Sequence, residues 1–248
     1  MKISIITATY NSAATVRDTL NAVKAQDYTD VEHIIVDGMS TDDTLTIVSG
    51  FTHVAKVVSE KDKGIYDAMN KGIGLATGDI IGILNSDDLY IDHTVLSDIA
   101  KAFSDPEVMT VYADLQYIDA GDPDRIRRTW VAGPFKKKNF YYGWMPPHPT
   151  FFVRKEVYRQ AGHFSTDLRS AADYELMLRI LLKYGFSTTY LPRVMVKMRV
   201  GGMSNASLNN RLRANKEDRL AWKLNGLKPN FFTLYLKPLR KFHQFIIK

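Results

Sequence analysis

Carboxylates recur at the ends of apolar runs in this 248-residue chain. Asp37 follows Ile34-Ile35-Val36, and Asn85-Ser86-Asp87-Asp88 follows Ile80-Ile81-Gly82-Ile83-Leu84. Asp173-Tyr174-Glu175 opens an amphipathic stretch. Hard carboxylate oxygens bind Mg²⁺ or Mn²⁺, and a nucleotide diphosphate can complete the coordination shell. A single Asp after a strand is more often a turn former or a helix cap. Two separate strands aiming acids at one crevice make coincidence the weaker explanation. Asp173 stands where a helix begins, so N-capping competes there with a general-base role. Glu175, two residues on, falls roughly on the opposite side of that helix.

Other polar groups have two readings each. Glu60-Lys61-Asp62-Lys63-Gly64 has the composition of a solvated turn. His148 lies in Met145-Pro146-Pro147-His148-Pro149, where prolines on both sides restrict the backbone and fix how the imidazole is presented. A lone histidine is more often structural than catalytic. In Arg199-Val200-Gly201-Gly202-Met203-Ser204 the glycines would let backbone N–H groups approach an anion that Arg199 neutralises, or they form a hinge. Gly72-Ile73-Gly74-Leu75-Ala76-Thr77-Gly78 is not a dinucleotide fingerprint, because its spacing is wrong and it precedes a strand.

The elements that must position these groups alternate. The N-terminus, Met1-Lys2-Ile3-Ser4-Ile5-Ile6 running into Thr7-Ala8-Thr9-Tyr10-Asn11, reads as a first strand and not a targeting segment. A helix capped by Ser12 follows, with Val16, Leu20 and Val23 on one face. Strands at 34–36, 54–58 and 80–84 enclose helices near 44–48 and 65–76. Strands this apolar are covered on both faces, which predicts an open α/β architecture whose ligands bind beyond the carboxyl ends of the strands. Beyond a helix at 96–103 the pattern changes to shorter strands at 108–112, 117–118 and 126–131. A helix at 173–184 and strands at 188–191 and 194–200 come next.

Composition removes several classes. Without cysteine there is no disulfide framework, thiolate metal site or cysteine nucleophile. The net charge of +6 alone would allow nucleic acid or an anionic membrane as partner. Its distribution is more telling. Residues 1–100 hold 7 Lys/Arg and 15 Asp/Glu, residues 101–200 hold 16 and 10, and residues 201–248 hold 10 and 2. The acidic front half suits a phosphate only if a cation accompanies it, and it gives no support to a nucleic-acid partner. From Ser204 on, Trp222, Phe231, Phe232, Tyr235, Phe242 and Phe245 interleave with Lys and Arg, while Pro229 and Pro238 break any single long helix. That composition fits an interfacial segment at a lipid surface, or a helix packed on the core with its cations outward.

Four motifs in order, Ser4-Ile5-Ile6-Thr7-Ala8-Thr9-Tyr10-Asn11, Val36-Asp37-Gly38-Met39-Ser40-Thr41-Asp42-Asp43-Thr44, Asn85-Ser86-Asp87-Asp88 and Ala172-Asp173-Tyr174-Glu175, resemble those of family-2 glycosyltransferases. The stretch from Glu60 to Gly72 is similar to the bacterial exopolysaccharide and O-antigen branch. The resemblance covers roughly residues 1–200. It implies an α/β GT-A fold, a Rossmann-like, mostly parallel central sheet flanked by helices, with a C-terminal helical tail. Residues 1–203 would form the transferase domain, split into a nucleotide-sugar half (1–100) and an acceptor half (101–203), and residues 204–248 a basic, aromatic tail.

The implied reaction is inverting transfer of a sugar from a UDP- or GDP-sugar to a hydroxyl of a glycan or polyprenyl-linked acceptor in cell-surface polysaccharide synthesis. Asp37 matches the acid that hydrogen-bonds the base, with Thr9 and Tyr10 beside the nucleotide. Asp62, Lys63, Asn85, Asp88 and Arg199 become donor contacts. Asp87 becomes the ligand for Mg²⁺ or Mn²⁺, where the family usually has Asp-x-Asp and this chain has Asn85 first. Asp173 resembles the base that deprotonates the acceptor, and His148 and Glu175 are acceptor contacts. The expected place is the cytoplasm, at the inner face of the membrane through the tail. The alternative is a sugar nucleotidyltransferase, which also holds metal and nucleotide with acids at strand ends.

Overall fold

In the computed structural model, which describes residues 1–201 and 208–239, Ile3–Thr9 (β1) is buried at every position, as a strand covered on both faces must be. The first half alternates as the hydrophobic pattern requires: α1 (Val16–Lys24), β2 (Val31–Asp37), α2 (Thr44–Ser49), β3 (Val54–Ser59), α3 (Ile65–Leu75) and β4 (Ile80–Ile83). These four strands pair in parallel in the order β3-β2-β1-β4, so the loops after β1, β2 and β4 emerge at one edge of the sheet. Asp37, at the end of β2, and Asp87, after β4, therefore lie along the same edge.

The second half is β5 (Leu89–Tyr90), α4 (Val95–Ala102), β6 (Thr110–Ile118), β7 (Ile126–Trp130), α5 (Lys137–Tyr141), β8 (Phe152–Arg154), α6 (Lys155–Ala161), α7 (Ala172–Leu178), β9 (Thr188–Arg199), α8 (Leu208–Leu224) and α9 (Thr233–Leu239). It extends the sheet as β4-β8-β6-β9-β5, with β8 antiparallel to both neighbours and β7 added to β6. One apolar cluster includes Ile6, Ile34 and Met69 with Tyr112 and Trp222, and another includes Ile3, Ile5, Val95 and Phe103.

Three elements differ from the sequence reading. The stretches at 108–112 and 117–118 are one continuous strand, β6. Those at 188–191 and 194–200 are likewise one strand, β9, because Pro192-Arg193 is bulged out: Leu191 pairs with Ala113 and Val194 with Asp114. Proline lacks a ladder donor, and the bulge removes that demand. Arg193 leaves the ladder to pair with Asp92 and Asp98. The helix expected to 184 is α-helical only to Leu178 and continues as a π turn over Arg179–Lys183, where the Arg179 side chain donates to the carbonyls of Ala161 and His163.

The described part of the tail packs on the core. Trp222 is fully buried and donates from Nε1 to the Tyr174 hydroxyl at 2.9 Å. Gly226, with φ 69°, ends α8 in a Schellman arrangement in which the N–H of Leu227 reaches the carbonyl of Trp222. Pro229 lies in the following connection, whereas Pro238 falls in the last turn of α9. Gly202, Met203 and Ser204, and the tail residues Phe242 and Phe245, lie outside the described residues. No helix of the described residues is long and apolar enough to cross a membrane.

Candidate active site

The edge of β1–β2–β3 is knitted by short polar side chains. Asp37 is fully buried, and its Oδ1 accepts from the hydroxyls of Thr9 (2.8 Å) and Ser40 (2.5 Å). Its Oδ2 accepts from Ser59 Oγ (2.7 Å) and the Ser40 N–H (2.9 Å). Burial alone would raise this carboxyl, but these donors outweigh it and hold it below its ordinary value. Asp37 and Thr9 thus form a hydrogen-bonded floor at this edge of the sheet. Above them the Tyr10 ring is 65% exposed, and Asn11 and Met39 have φ of 48° and 63°, left-handed backbone that a non-glycine residue adopts only under constraint. Gly38 explains how Asp62 joins this cluster. A Cβ there would stand 2.5 Å from Asp62 Oδ2 and 3.5 Å from the Tyr10 ring.

Ser12 does not cap α1 with its hydroxyl. The cap position is Thr15, and Ser12 Oγ instead meets Ser86 Oγ at 2.9 Å, fastening the loop after β1 to the acidic loop after β4.

Within that acidic loop Asn85 Nδ2 donates to Asp88 Oδ2 at 2.8 Å, leaving Asn85 Oδ1 and Asp88 Oδ1 buried with no donor. Burial pushes the Asp88 carboxyl well up, and the charge of Asp87 beside it adds to this. Burial also raises Asp87, although Arg199 and His148 pull the other way. Buried acceptors without donors beside a second desolvated carboxyl are an arrangement that a cation would complete. Among the described residues no group of three or more His, Asp and Glu could hold a metal by itself. The residues therefore fit a divalent ion that takes much of its shell from a bound ligand and water.

Arg199, expected as a contact for the diphosphate, is spent mainly on positioning. It donates from Nη1 to the Asp87 carbonyl at 2.9 Å and from Nη2 to Asp18 Oδ2 at 2.6 Å, leaving Nε buried without a partner.

Asp173 is the second acidic centre. It is not the N-cap of α7, which is Ala171; it sits in the first turn, and its carboxylate leaves the helix. His148 Nδ1 lies 3.3 Å from Asp173 Oδ2, and the Tyr66 hydroxyl donates to Asp173 Oδ1 at 3.3 Å. Burial and the neighbouring carboxylate hold the Tyr66 phenol well above its ordinary value, so it stays a donor. Asn70, one turn after Tyr66 on α3, clamps the backbone of Phe164 in both directions, and Phe164 stacks on Tyr66 at 5.5 Å.

One cavity of about 1580 Å³ is lined by Lys63, Asn85, Asp87, Asp88, His148, Asp173 and Arg199. Thr9, Tyr10, Asp37 and Asp62 gather at its flank and do not line it. Glu175 requires correction as an acceptor contact. It is buried, takes Arg179 on both carboxylate oxygens at 3.0 and 2.6 Å, and bonds Asn225, so it braces α7 against α8.

The sequence reading missed Tyr66, Tyr117, Arg128 and the Asp218–Lys237 pair, all on the cavity wall. The guanidinium of Arg128 lies 3.7 Å above the Tyr117 ring, and Lys237 Nζ lies 2.7 Å from Asp218 and 3.6 Å above the Tyr174 ring. Tyr66 stood inside the Glu60–Gly72 stretch already singled out. Lys237 had no comparable signal, because only folding brings it beside α7.

The model of "Glycosyl transferase family 2" matches residues 4–162. A "PGL/p-HBAD biosynthesis glycosyltransferase" of Mycobacterium bovis is 30% identical over 210 residues, covering 82% of this chain and 78% of the relative. An uncharacterized glycosyltransferase of Mycobacterium tuberculosis is 32% identical over 183 residues, covering 73% and 69%. S. aureus TarS 1-349, solved with UDP-GlcNAc, superposes with a TM-score of 0.71 at 20% identity over 91% of this chain and 65% of that one. Of another TarS crystal structure the match covers 39%. The mannosyltransferase PcManGT of Pyrobaculum calidifontis, solved with GDP-Man and Mn²⁺, gives 0.68 at 21% identity over 98% and 70%. At these identities the structures speak for the fold, which is GT-A. By its sequence match and its relatives, the chain belongs to glycosyltransferase family 2.

Proposed function

We propose that the chain is an inverting glycosyltransferase that moves a sugar from a UDP- or GDP-sugar to a hydroxyl of a glycan or polyprenyl-linked acceptor in bacterial cell-surface polysaccharide synthesis. The observation that carries this reading is one cavity lined by two acidic centres from different elements, Asp87–Asp88 in the loop after β4 and Asp173 in the first turn of α7. The nucleotide sugars bound by TarS and PcManGT support the donor class. Residues 1–100 supply the donor half and residues 101–203 the acceptor half. The expected place of work is the cytoplasm.

In this mechanism Asp173 removes the proton of the acceptor hydroxyl as that oxygen attacks the anomeric carbon. A new carbon–oxygen bond forms on the face opposite the diphosphate, the bond to the diphosphate breaks, and the electron pair leaves with the nucleoside diphosphate. His148 and Tyr66 hold the Asp173 carboxylate in place. A Mg²⁺ or Mn²⁺ ion held by Asp87, with Asp88 beside it, would supply charge neutralisation for the leaving diphosphate. Arg199 keeps the Asp87 loop in register, and Tyr10, with Asp37 and Thr9 beneath, faces the nucleobase. Asp62, Lys63 and Asn85 complete the donor contacts.

A thermal-shift screen of nucleotide sugars with and without Mn²⁺ tests the donor. Product analysis follows: transfer releases a nucleoside diphosphate, whereas a sugar nucleotidyltransferase would release pyrophosphate from a nucleoside triphosphate. Pyrophosphate release would overturn the proposal.

A further inference from the structure

Leu234 is buried in the core and Thr233 Oγ1 donates to the carbonyl of Tyr141 at 2.6 Å, so the start of α9 is held firmly against α5. That anchoring leaves three large rings outside. Phe231 is 80% exposed, Phe232 64% and Tyr235 55%. They touch one another, with Phe231 centroids 5.2 Å from Phe232 and 6.0 Å from Tyr235, and so form one apolar cluster in water. A contiguous exposed aromatic cluster on a fixed scaffold marks an interaction surface.

The charge around it indicates the partner. Lys216, Arg219, Lys223 and Lys228 are all exposed. The two acids of residues 214–237 are withdrawn: Glu217 accepts from the backbone of Arg169 and Ser170, and Asp218 is buried against Lys237. Arg219 also joins Phe231 and Tyr235 in lining a pocket of about 280 Å³, which sets a cation among aromatic walls. Rings that prefer the headgroup boundary, flanked by cations without exposed acids, complement the surface of a bilayer containing anionic phospholipid.

We propose that the aromatic–cationic face of residues 216–235 docks on an anionic phospholipid bilayer. The same two helices contribute Asn215, Asp218 and Lys237 to the wall of the main cavity, so docking would bring that wall close to the membrane surface. The link to a lipid-linked acceptor rests on the transferase reading; the docking does not.

The test is co-sedimentation of the full chain with phosphatidylcholine vesicles, with and without phosphatidylglycerol, at low and high salt. The expected result is binding enhanced about tenfold or more by phosphatidylglycerol and weakened by salt. Phe231→Ser/Phe232→Ser should abolish it, and Arg219→Glu/Lys228→Glu should remove the preference for anionic lipid. Both double variants alter exposed side chains, and unchanged thermal melts would show that they fold. Wild-type chain left in the supernatant with anionic vesicles would overturn the proposal, as would an aromatic variant that sediments like wild type. A wild-type dimer that Phe231→Ser/Phe232→Ser dissolves, without vesicle binding, would also overturn it and assign the face to a second copy. Because no turnover is measured, failure here leaves the transferase reading to its own test.

Discussion

His148 Nδ1 and Asp173 Oδ2 face each other at 3.3 Å across the main cavity wall, bringing together a proline-bounded loop and the first turn of α7. With the Tyr66 hydroxyl on the other carboxylate oxygen, Asp173 is oriented from two sides. Asp173→Asn keeps the size and the hydrogen-bonding shape but cannot accept the acceptor's proton. Its kcat should fall roughly 10²–10⁴-fold, with donor affinity retained. His148→Gln should keep more activity than His148→Ala, since a polar amide can still approach Asp173. Steady-state rates with calorimetric titration of nucleoside diphosphate measure both effects. Normal turnover in Asp173→Asn would reject the assignment of the base.

The acidic loop gives a separate prediction. Asn85 Nδ2 holds Asp88 Oδ2 at 2.8 Å, leaving Asp88 Oδ1 without a donor beside Asp87 in the cavity lining. Asp87→Ala should remove the gain in donor affinity that Mn²⁺ confers, and Asn85→Ala should reduce that gain roughly 10–100-fold by freeing a neighbouring carboxylate. Titrating nucleoside diphosphate with and without Mn²⁺ checks this. An unchanged metal increment in Asp87→Ala would remove Asp87 from the metal site.

The first half of the fold was legible because β1, β2 and β4 are buried almost throughout and its helices carry one apolar stripe, so each period appears in the local sequence; β3, expected to be covered on both faces, is the edge strand and alternates half-buried and exposed. The acids at the strand ends were legible for the same reason: parallel pairing sends the ends of β2 and β4 to one edge. The second half was harder to read. The stretches at 188–191 and 194–200 looked like separate strands because the effect of Pro192 on the ladder depends on the bulge, and the bulge depends on β6 as partner. Glu175 looked available because helix spacing does not show Arg179 and Asn225 closing over it. Lys237 joins the cavity only because Leu234 and Trp222 draw the tail onto the core.

Close packing between β4 and β8 makes Gly82 a point of fragility. A Cβ at Gly82 would lie 2.3 Å from the Phe152 ring, which is 1% exposed and cannot retreat into solvent. Gly82→Ala should destabilise the protein by about 1–3 kcal/mol through overpacking. Adding Phe152→Leu should recover part of that loss by vacating the ring. Urea denaturation of the single and double variants measures the coupling, and strict additivity would show that the two positions do not compete for the same space.

Acid should lower the stability of the protein over two pH windows of different origin. His33 is fully buried, with Nε2 3.0 Å from Thr7 Oγ1 and Nδ1 3.2 Å from His53 Nε2. Burial, with His53 adding to it, pushes its pKa down from 6.5 to about 3. Between these values the folded imidazole stays neutral while the unfolded chain binds a proton. Stability is therefore complete above 6.5 and falls with pH below it, by about 1.4 kcal/mol per pH unit for one such group. Glu32 acts lower. Its burial would raise the carboxyl, but hydrogen bonds from Thr77 and Ser4 and the charge of Lys2 bring it from 4.5 to about 2. Its contribution is present above 4.5 and disappears as pH falls towards 2. His33→Gln should flatten the decline between 6.5 and 4.5 and leave the Glu32 step in place. Denaturant midpoints across that pH series measure it, and an unaltered slope above 4.5 in His33→Gln would assign the acid sensitivity elsewhere.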